Sequence, residues 1–245
     1  MLATIHSAAL QGIEAEHVLV EVNTGEAGPP VLILVGLPDA AVKESEDRVF
    51  SALNNSGFHM PRSRTTINLA PGDIRKEGPI YDLPIALGVL RATGQLAVDS
   101  FADYLIAGEL SLSGAIRPMR GALAIALLAR DLHKRGVLLP PSAAAEAALV
   151  EGLAVYPVHS LDEAYRFFTG ETELTPQPGG MTAYRATLGA NGEPGGDFSE
   201  VKGQQALRRA VEVAVAGAHN LLTLWSFLPR PFPLDRKACP RSTAT

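Results

Sequence analysis

The sequence predicts an α/β (α+β) fold, and three observations support this prediction. Hydrophobic residues make up 47% of the 245 positions and charged residues 19%, which is enough for one large buried core. Aromatic residues are few, at 6%, so small aliphatic side chains dominate, as suits helices packed on a sheet. Segments with the hydrophobic period of a strand alternate with segments that have the period of a helix.

The first elements are a strand pair and then a strand followed by a helix. Residues 3–22 alternate apolar and polar in two runs, which predicts a hairpin. Residues 31–36, VLILVG, form a continuous apolar run, and we expect a strand buried on both faces. A helix is predicted to begin at the N-cap Asp39 and to stop at Gly57. The run RTTINLAP is the next predicted strand. The helix places three apolar residues on one face: Val42, Val49 and Leu53.

The middle of the chain alternates helices and strands. Asp82 is predicted to cap an almost wholly apolar helix, LPIALGVLRATG, which belongs at the centre of the domain. Two short strands are expected around Gly114, then a helix ended by Gly136 and the strand VLLP. An Ala-rich helix and the strand LAVYPV come next. Ser160 and Glu163 form a capping box at the start of another helix.

The C-terminal third divides by composition. Residues 171–196 are rich in Gly, Pro and Thr, which predicts a linker between residues 1–170 and residues 197–222. Residues 197–222 regain a helical pattern, whereas residues 223–245 show neither period and are expected to be disordered. The helical pattern places four residues on one side: Ala206, Ala210, Val213 and Ala214.

Charge and cysteine content exclude several classes. The net charge is −5 and the isoelectric point about 5.7, whereas a protein that binds nucleic acid on its own is usually basic. Cys239 is the one cysteine, so no internal disulfide can form. There is no basic, apolar leader at the start and no apolar run of membrane-spanning length. We therefore expect a soluble, cytoplasmic protein without membrane contact.

No familiar catalytic motif is present. The sequence contains no HExxH, GxSxG, GxGxxG or GxxxxGK[ST] pattern, and its six histidines are scattered, so no metal site is predicted. Three basic pairs lie near strand ends and are candidates for contact with nucleic acid or a neighbouring subunit: Arg62/Arg64, Arg75/Lys76 and Arg117/Arg120.

Five blocks together resemble one family. In order they are MLATIHSAALQGIEAEHVLVEV, LVGLPDAAVKESEDRVFSALNNSGF, TINLAPGDIRKEGPIYDLPIALGVL, AGELSLSGAIRPMRGAL and DFSEVKGQQALRRAVEVAVAGAHNLL. They are similar to the Mg-chelatase-like AAA+ ATPases of the YifB/ComM family over residues 1–222. The resemblance implies an N-terminal domain like the Lon proteolytic domain, with a ribosomal protein S5 domain 2-like fold, followed by the start of an AAA+ motor at residues 197–222.

The same resemblance implies that the proteolytic chemistry is missing. Lon-type domains place a nucleophilic serine after a Lys-[AspGlu]-Gly-Pro turn and a lysine base in a later Gly-Gly-Leu-Lys run. Here the turn beginning at Lys76 is kept, but Ile80 occupies the serine position and Leu123 is taken to occupy the lysine position. Neither side chain can transfer a proton. We therefore assign no catalytic residue and expect Ile80 and Leu123 to meet in an apolar contact.

For the intact family the resemblance implies a hexameric, ATP- and Mg²⁺-dependent DNA helicase linked to natural transformation. Residues 223–245 do not continue into the Walker A loop of that family, so we expect a truncated chain without ATP hydrolysis. No cofactor-binding or metal-binding residue is assigned in this chain, which leaves self-association and DNA as the implied partners.

Two alternatives stay open. One is a magnesium-chelatase subunit that inserts Mg²⁺ into a porphyrin. The other is a Ser-Lys peptidase that uses Ser111 or Ser113 with Lys76.

Overall fold

The computed structural model describes residues 1–98, 100–181, 203, 205–217 and 219. The chain divides into two compact units, Met1–Thr187 and Leu188–Thr245. Parallel and antiparallel strands occur together with helices, which confirms the predicted α/β class. Most of the predicted linker at 171–196 and all of the predicted tail at 223–245 lie outside the described residues.

The larger sheet contains four strands in the order β1-β2-β4-β3. β1 and β2 form the predicted antiparallel hairpin, β2 pairs antiparallel with β4, and β3 pairs parallel with β4. The strands have the following bounds: β1 Leu2–Gln11, β2 Glu14–Glu26, β3 Leu32–Val35 and β4 Arg64–Ala70.

The prediction that the VLILVG strand is buried on both faces is wrong. Leu32 is buried, but Val35 is 42% exposed, and the strand lies at the edge of the sheet. A continuous apolar run does not distinguish an edge strand from a central one, because the position of a strand depends on its long-range partners.

The predicted first helix is two helices, α1 Ala40–Lys43 and α2 Ser45–Asn55. Asp39 caps α1 as predicted, since its Oδ1 accepts a hydrogen bond of 2.7 Å from the Val42 N–H. Gly57 follows the end of α2 with φ +82°, a conformation that favours glycine. The three predicted apolar positions of this segment are all fully buried: Val42, Val49 and Leu53.

Helix α3, Asp82–Ala92, is the central helix, as predicted. Ten of its eleven residues are buried, and it contacts β1 and β2. A Cβ at Gly88 would lie 2.6 Å from Val22 Cγ2, so this glycine allows close approach of helix and sheet. The prediction that Asp82 caps this helix is wrong, because Asp82 is its first residue and its carboxylate binds elsewhere.

A second, parallel sheet has the order β5-β8-β9, and β6 and β7 form a small antiparallel ladder around Gly114. The strands are β5 Tyr104–Ile106, β6 Glu109–Leu110, β7 Ile116–Arg117, β8 Gly136–Leu139 and β9 Ala154–Pro157. The helices of this half are α4 Ala122–Asp131, α5 Pro141–Ala147 and α6 Leu161–Thr169.

The end of α4 differs from the prediction. The helix ends at Asp131, and Gly136 begins β8 rather than stopping the helix. His133 reverses the chain between them with φ +53°. The capping box is half confirmed: the Glu163 N–H donates to Ser160 Oγ at 3.2 Å, but the Glu163 carboxylate accepts from His159 instead of from Ser160.

In the second unit, α7 spans Gln205–Ala216. Of the four residues predicted to share its apolar side, Ala214 alone is buried, while Val213 is 50% exposed. No helix within the described residues is long and apolar enough to cross a bilayer.

Candidate functional site

The turn that leads into α3 is where the sequence resembles a proteolytic site, and backbone contacts hold it against the start of α1. The Asp39 N–H donates to the Lys76 carbonyl at 3.0 Å, and the Lys76 N–H donates to the Leu37 carbonyl at 3.2 Å. Gly78 adopts φ +78°, and its N–H donates to Asp39 Oδ2 at 3.1 Å. One carboxylate therefore caps a helix and fixes the turn at the same time.

Ile80, which the resemblance places at the position of a nucleophile, is part of the core. It lies in the 3-10 turn Pro79–Tyr81 and is 7% exposed. Its carbonyl accepts a hydrogen bond of 2.8 Å from the Gly108 N–H, which joins the turn to the β5–β6 connection. This backbone would hold a side chain in a fixed place, but an isoleucine there can neither donate nor accept a proton.

Lys76 is fully buried and its ammonium is already hydrogen-bonded. Its Nζ donates to the carbonyl of Pro71, five residues earlier in the chain. Burial lowers the pKa of Lys76 below its ordinary value, and the nearby Asp73 carboxylate partly opposes this change. A buried ammonium bound to a carbonyl is a structural arrangement, and it leaves Lys76 without contact to a hydroxyl nucleophile.

Leu123, which the resemblance places at the position of the lysine base, lies near the start of α4. With Gly121 as the second glycine of the Gly-Gly-Leu-Lys run, Leu123 falls at its lysine. Leu123 is 37% exposed, and its N–H donates to Glu146 Oε1 at 3.1 Å. A leucine side chain has no amine and cannot act as a base. The expected contact between Ile80 and Leu123 stays a prediction.

The alternative dyads are not formed. Ser111 Oγ lies 2.9 Å from Ser113 Oγ and accepts a hydrogen bond of 3.1 Å from the Ala115 N–H, in the exposed β6–β7 turn. Lys76 instead binds Pro71. Neither serine has the adjacent amine that a Ser-Lys peptidase requires.

An ion pair that was not predicted from the sequence joins α2 to the first residue of α3, directly after the turn. Arg48 Nε and Nη2 donate to the two carboxylate oxygens of Asp82 at 2.8 and 3.2 Å. Asp82 Oδ2 also accepts from the Leu110 N–H at 3.1 Å, so the pair joins α2, α3 and β6. Burial raises the pKa of Asp82 and the Arg48 hydrogen bonds oppose this change. The sequence feature that could have indicated a polar contact here is the spacing of Ser45 and Arg48, which lie three residues apart beside the apolar face of α2.

The hydroxyl of Tyr81, the residue before Asp82, is buried without a hydrogen-bond partner. Burial raises the pKa of Tyr81 above its ordinary value, and the negative charges of Asp39 and Glu77 add to the effect. A hydroxyl nucleophile needs an adjacent base to take its proton, and the Tyr81 hydroxyl has no hydrogen-bond partner, so Tyr81 is not an activated nucleophile.

The predicted basic pairs do not act as pairs at the turn. Arg75 is exposed and faces Glu77 at 3.4 Å, while its neighbour Lys76 is buried. Arg117 likewise faces Glu109, at 3.5 Å. Each of these exposed ion pairs contributes little stability.

Two clefts of the first unit lie away from the turn. One, of about 240 Å³, lies between β3 and α2 and is lined by residues such as Phe50 and Met60. The other, of about 430 Å³, is open and is lined by residues such as His59 and Gln95. Ile80 and Lys76 line neither cleft.

Within the described residues no group of three or more His, Cys, Asp or Glu side chains could hold a metal ion. The histidines are less scattered than their spacing suggested, because His6 and His17 lie side by side across the β1–β2 hairpin. A hairpin register, which periodicity alone does not specify, brings them together.

Comparison with known proteins finds two family matches and several similar proteins. Residues 20–143 match the family described as subunit ChlI of Mg-chelatase, and residues 197–226 match the family described as magnesium chelatase, subunit ChlI. The competence protein ComM of Haemophilus influenzae is 39% identical over 223 residues, which is 91% of this chain and 43% of that protein. YifB of Salmonella typhimurium is 38% identical, and YifB of Escherichia coli is 37% identical, each over 224 residues. The chain therefore spans less than half the length of these relatives.

Proposed function

This chain belongs to the Mg-chelatase-like family that includes ComM and YifB, and we propose on that basis that residues 1–170 are a non-proteolytic, Lon-like domain that serves assembly or substrate engagement. In the whole protein this domain would act, in the cytoplasm, beside an ATP-driven hexameric ring that unwinds DNA and moves branch points during transformation. The name of the Haemophilus relative, a competence protein, supports this proposal.

One observation carries the non-proteolytic part of the proposal. Backbone contacts hold the turn in place, with Gly78 at φ +78° and the Gly108 N–H on the Ile80 carbonyl, and an apolar side chain stands where the resemblance places the nucleophile. The one buried amine of this turn, on Lys76, is bound to a main-chain carbonyl. The domain can present a rigid surface but has no group that attacks a peptide bond.

No nucleotide-binding residue is assigned in this chain. ATP phosphates in such motors are held by the backbone N–H groups and the lysine of a GxxxxGK[ST] loop, and no such run occurs in the 245 residues. ATP and Mg²⁺ therefore belong to the proposal for the whole protein, and no step that involves them is assigned to residues of this chain.

The functional test is a domain exchange. The part of Haemophilus ComM that aligns with residues 1–170 is replaced by those residues, and transformation frequency is measured in a strain that lacks ComM. We expect the chimera to restore transformation. A second chimera that carries the packing change Gly36→Ala serves as a control for folding. Soluble chimera at the native level without any transformation would contradict the proposal.

The non-proteolytic part has its own test. Purified chain is incubated with a fluorophosphonate probe that labels activated serines, beside a peptidase of the Lon type as a positive control. We expect no labelled band from this chain. Labelling that disappears in a Ser111→Ala or Ser113→Ala variant would establish the Ser-Lys alternative instead.

A magnesium-chelatase subunit is the second candidate, and the descriptions of both matched families favour it. The test is insertion of Mg²⁺ into a porphyrin by the same Haemophilus chimera, supplied with the remaining chelatase subunits and ATP. Insertion above the rate without the chimera would favour this candidate, whereas forked-DNA unwinding without metal insertion supports the helicase proposal.

A further inference from the structure

Three basic side chains meet on the face of the large sheet, away from the turn before α3. His6 lies on β1, His17 on β2, and Lys134 follows the end of α4. The strand register pairs His6 with Leu19 and His17 with Ala8, so the two histidines are diagonal neighbours on one face. Their rings stack with centroids 5.0 Å apart and planes at 13°.

The nitrogen atoms of this cluster compete for one lone pair. His6 Nδ1 is 2.8 Å from His17 Nε2 and 3.1 Å from Lys134 Nζ. A neutral imidazole nitrogen has one lone pair, so it accepts well from only one of the two donors. Lys134 Nζ is also held at 2.6 Å by the Ala102 carbonyl, which keeps the ammonium beside the rings.

The pKa shifts in this cluster reflect burial and the mutual repulsion of its basic groups. Burial, then Lys134 and then His17 lower the pKa of His6 to about 4. Burial and Lys134 also lower the pKa of His17. Burial lowers the pKa of Lys134, and Asp103, on the 3-10 turn before β5, opposes that change. All three groups are half-buried rather than sealed from solvent, so a ligand can reach them.

The sign of the charge decides which ligand suits the cluster. A metal cation would meet the ammonium of Lys134, and the two histidines are joined by no third protein ligand of the His, Cys, Asp or Glu type among the described residues. An anion would instead be attracted by Lys134 and would offer acceptors to donors that now compete for one nitrogen. A phosphoryl group carries several acceptor oxygens on one phosphorus atom. It can therefore accept hydrogen bonds from Lys134, His17 and a protonated His6 together.

We propose that His6, His17 and Lys134 form a binding site for an anion with phosphoryl oxygens, and that binding is accompanied by proton uptake on the histidine pair. Lys134 and the His17 N–H donate to the anion, and His6 becomes a third donor when it takes up a proton. The same chemistry is available from free phosphate and from the phosphodiester groups of nucleic acid. The proposal goes beyond the function proposed above, because it needs neither ATP nor a ring.

The test follows the imidazole signals of the whole chain by ¹H–¹⁵N NMR during pH titrations in sodium chloride and in inorganic phosphate of equal ionic strength. We expect phosphate to raise the pKa of His6 by about one unit or more, which is a tenfold change in its proton affinity. His159, which contacts Glu163 at 3.1 Å, is the internal control, and we expect phosphate to leave its signals as they are in chloride.

A Lys134→Gln variant separates a binding site from a general salt effect. Removing the ammonium is expected to raise the pKa of His6 in chloride, because a repelling charge is lost, and to abolish the further change in phosphate. The site is disproved if phosphate shifts neither His6 nor His17 in the unmodified chain, or if it shifts them no more than His159.

A second arm distinguishes the two sources of the anion. A single-stranded oligothymidylate replaces phosphate in the same titration. A response to the oligonucleotide at strand concentrations where free phosphate has no effect assigns the site to nucleic acid, whereas a response to phosphate alone assigns it to the free anion. If neither the oligonucleotide nor phosphate shifts the histidine signals, the inference is overturned. Failure of the domain exchange would leave this result untouched, because the titration measures anion binding by the chain and the exchange measures transformation.

Discussion

A buried lysine is unfavourable unless its ammonium is hydrogen-bonded, and Lys76 meets this condition through one main-chain carbonyl. In a Ser-Lys hydrolase the amine must instead face a hydroxyl and change its protonation during the reaction. At the residue scale, therefore, the role of a side chain depends more on the group that it contacts than on its residue type. The same holds for His6, whose neighbours keep it neutral.

His6 makes stability depend on pH. Its pKa is lowered from 6.5 to about 4 in the folded chain, so between these values the unfolded chain binds more protons. The free energy of unfolding is therefore expected to fall as the pH falls from 6.5 to about 4. Chemical denaturation across this range should show a weaker pH dependence for His6→Gln than for the unmodified chain. Equal slopes would contradict the prediction, and His59→Gln, at an exposed position, is the control.

Ile80 and Leu123 are expected to differ in their contribution to stability. Ile80→Ala removes a buried side chain and leaves a cavity, so we expect a loss of about 2–5 kcal/mol in the free energy of unfolding. Leu123 is 37% exposed, and Leu123→Ala is expected to cost less, about 1 kcal/mol. Urea denaturation measures both changes. Equal losses would mean that the two side chains share one buried contact after all.

Secondary-structure elements in this protein are joined by a few polar contacts and close approaches that cross between them. The bidentate pair of Arg48 and Asp82 links α2 to α3, and the Leu110 N–H adds β6. Asp82 is fully buried, so it cannot turn to water if Arg48 is lost. Gly36 makes the corresponding close contact between the end of β3 and β4.

Breaking the buried pair is expected to be costly. Asp82→Ala leaves the Arg48 guanidinium without its partner in a largely buried place, and we expect a loss of about 3–5 kcal/mol in the free energy of unfolding. Arg166→Ala breaks an exposed pair with Asp162 and serves as the matched control, with an expected change of about 0.5 kcal/mol. Urea denaturation that shows similar small changes for both variants would mean that the Asp82 pair contributes no more than a surface pair.

Gly36 is expected to tolerate no side chain. A Cβ there would lie 2.2 Å from the Leu69 carbonyl oxygen, and φ is +102°. Gly36→Ala should therefore destabilise the chain by more than about 3 kcal/mol, through clash and strain together. Gly57 also has a positive φ, of +82°, but nothing lies within 4 Å of its Cβ position, so Gly57→Ala is expected to cost about 1 kcal/mol. Thermal melts compare the two variants, and equal effects would show that backbone conformation alone matters.

On the scale of the whole molecule, the hydrophobic core lies within the first unit. The core cluster runs from Ala3 to Phe168, and the second unit contributes no residue to it among those described. Both sheets are joined through this core, since β1 contacts β5. The first unit should thus hold the determinants of its own stability.

The core predicts that the first unit folds alone. A fragment of residues 1–187 is expected to unfold in one cooperative transition at the same temperature as the 245-residue chain, because all of the described core belongs to it. Calorimetry of both chains measures this. A fragment that precipitates or melts well below the full chain would show that the second unit supports the first.

Local patterns in the sequence were sufficient for much of this fold. The hairpin, the apolar central helix, the Asp39 cap and the Ser160 cap follow from side chains a few residues apart, where periodicity and capping act directly. The sequence also showed that an apolar residue, Ile80, directly follows Gly78 and Pro79 in the turn before α3.

Contacts between distant residues were decided only by the tertiary structure. The edge position of β3, the burial of Lys76, the Arg48–Asp82 pair and the meeting of His6, His17 and Lys134 all depend on which segments become neighbours. A charged or titratable side chain responds to the field and the desolvation at its final place, and that place is set by pairings up to 128 residues apart. For this reason the sequence by itself determined many of the elements and their caps, while packing decided which charges are buried and which of them meet.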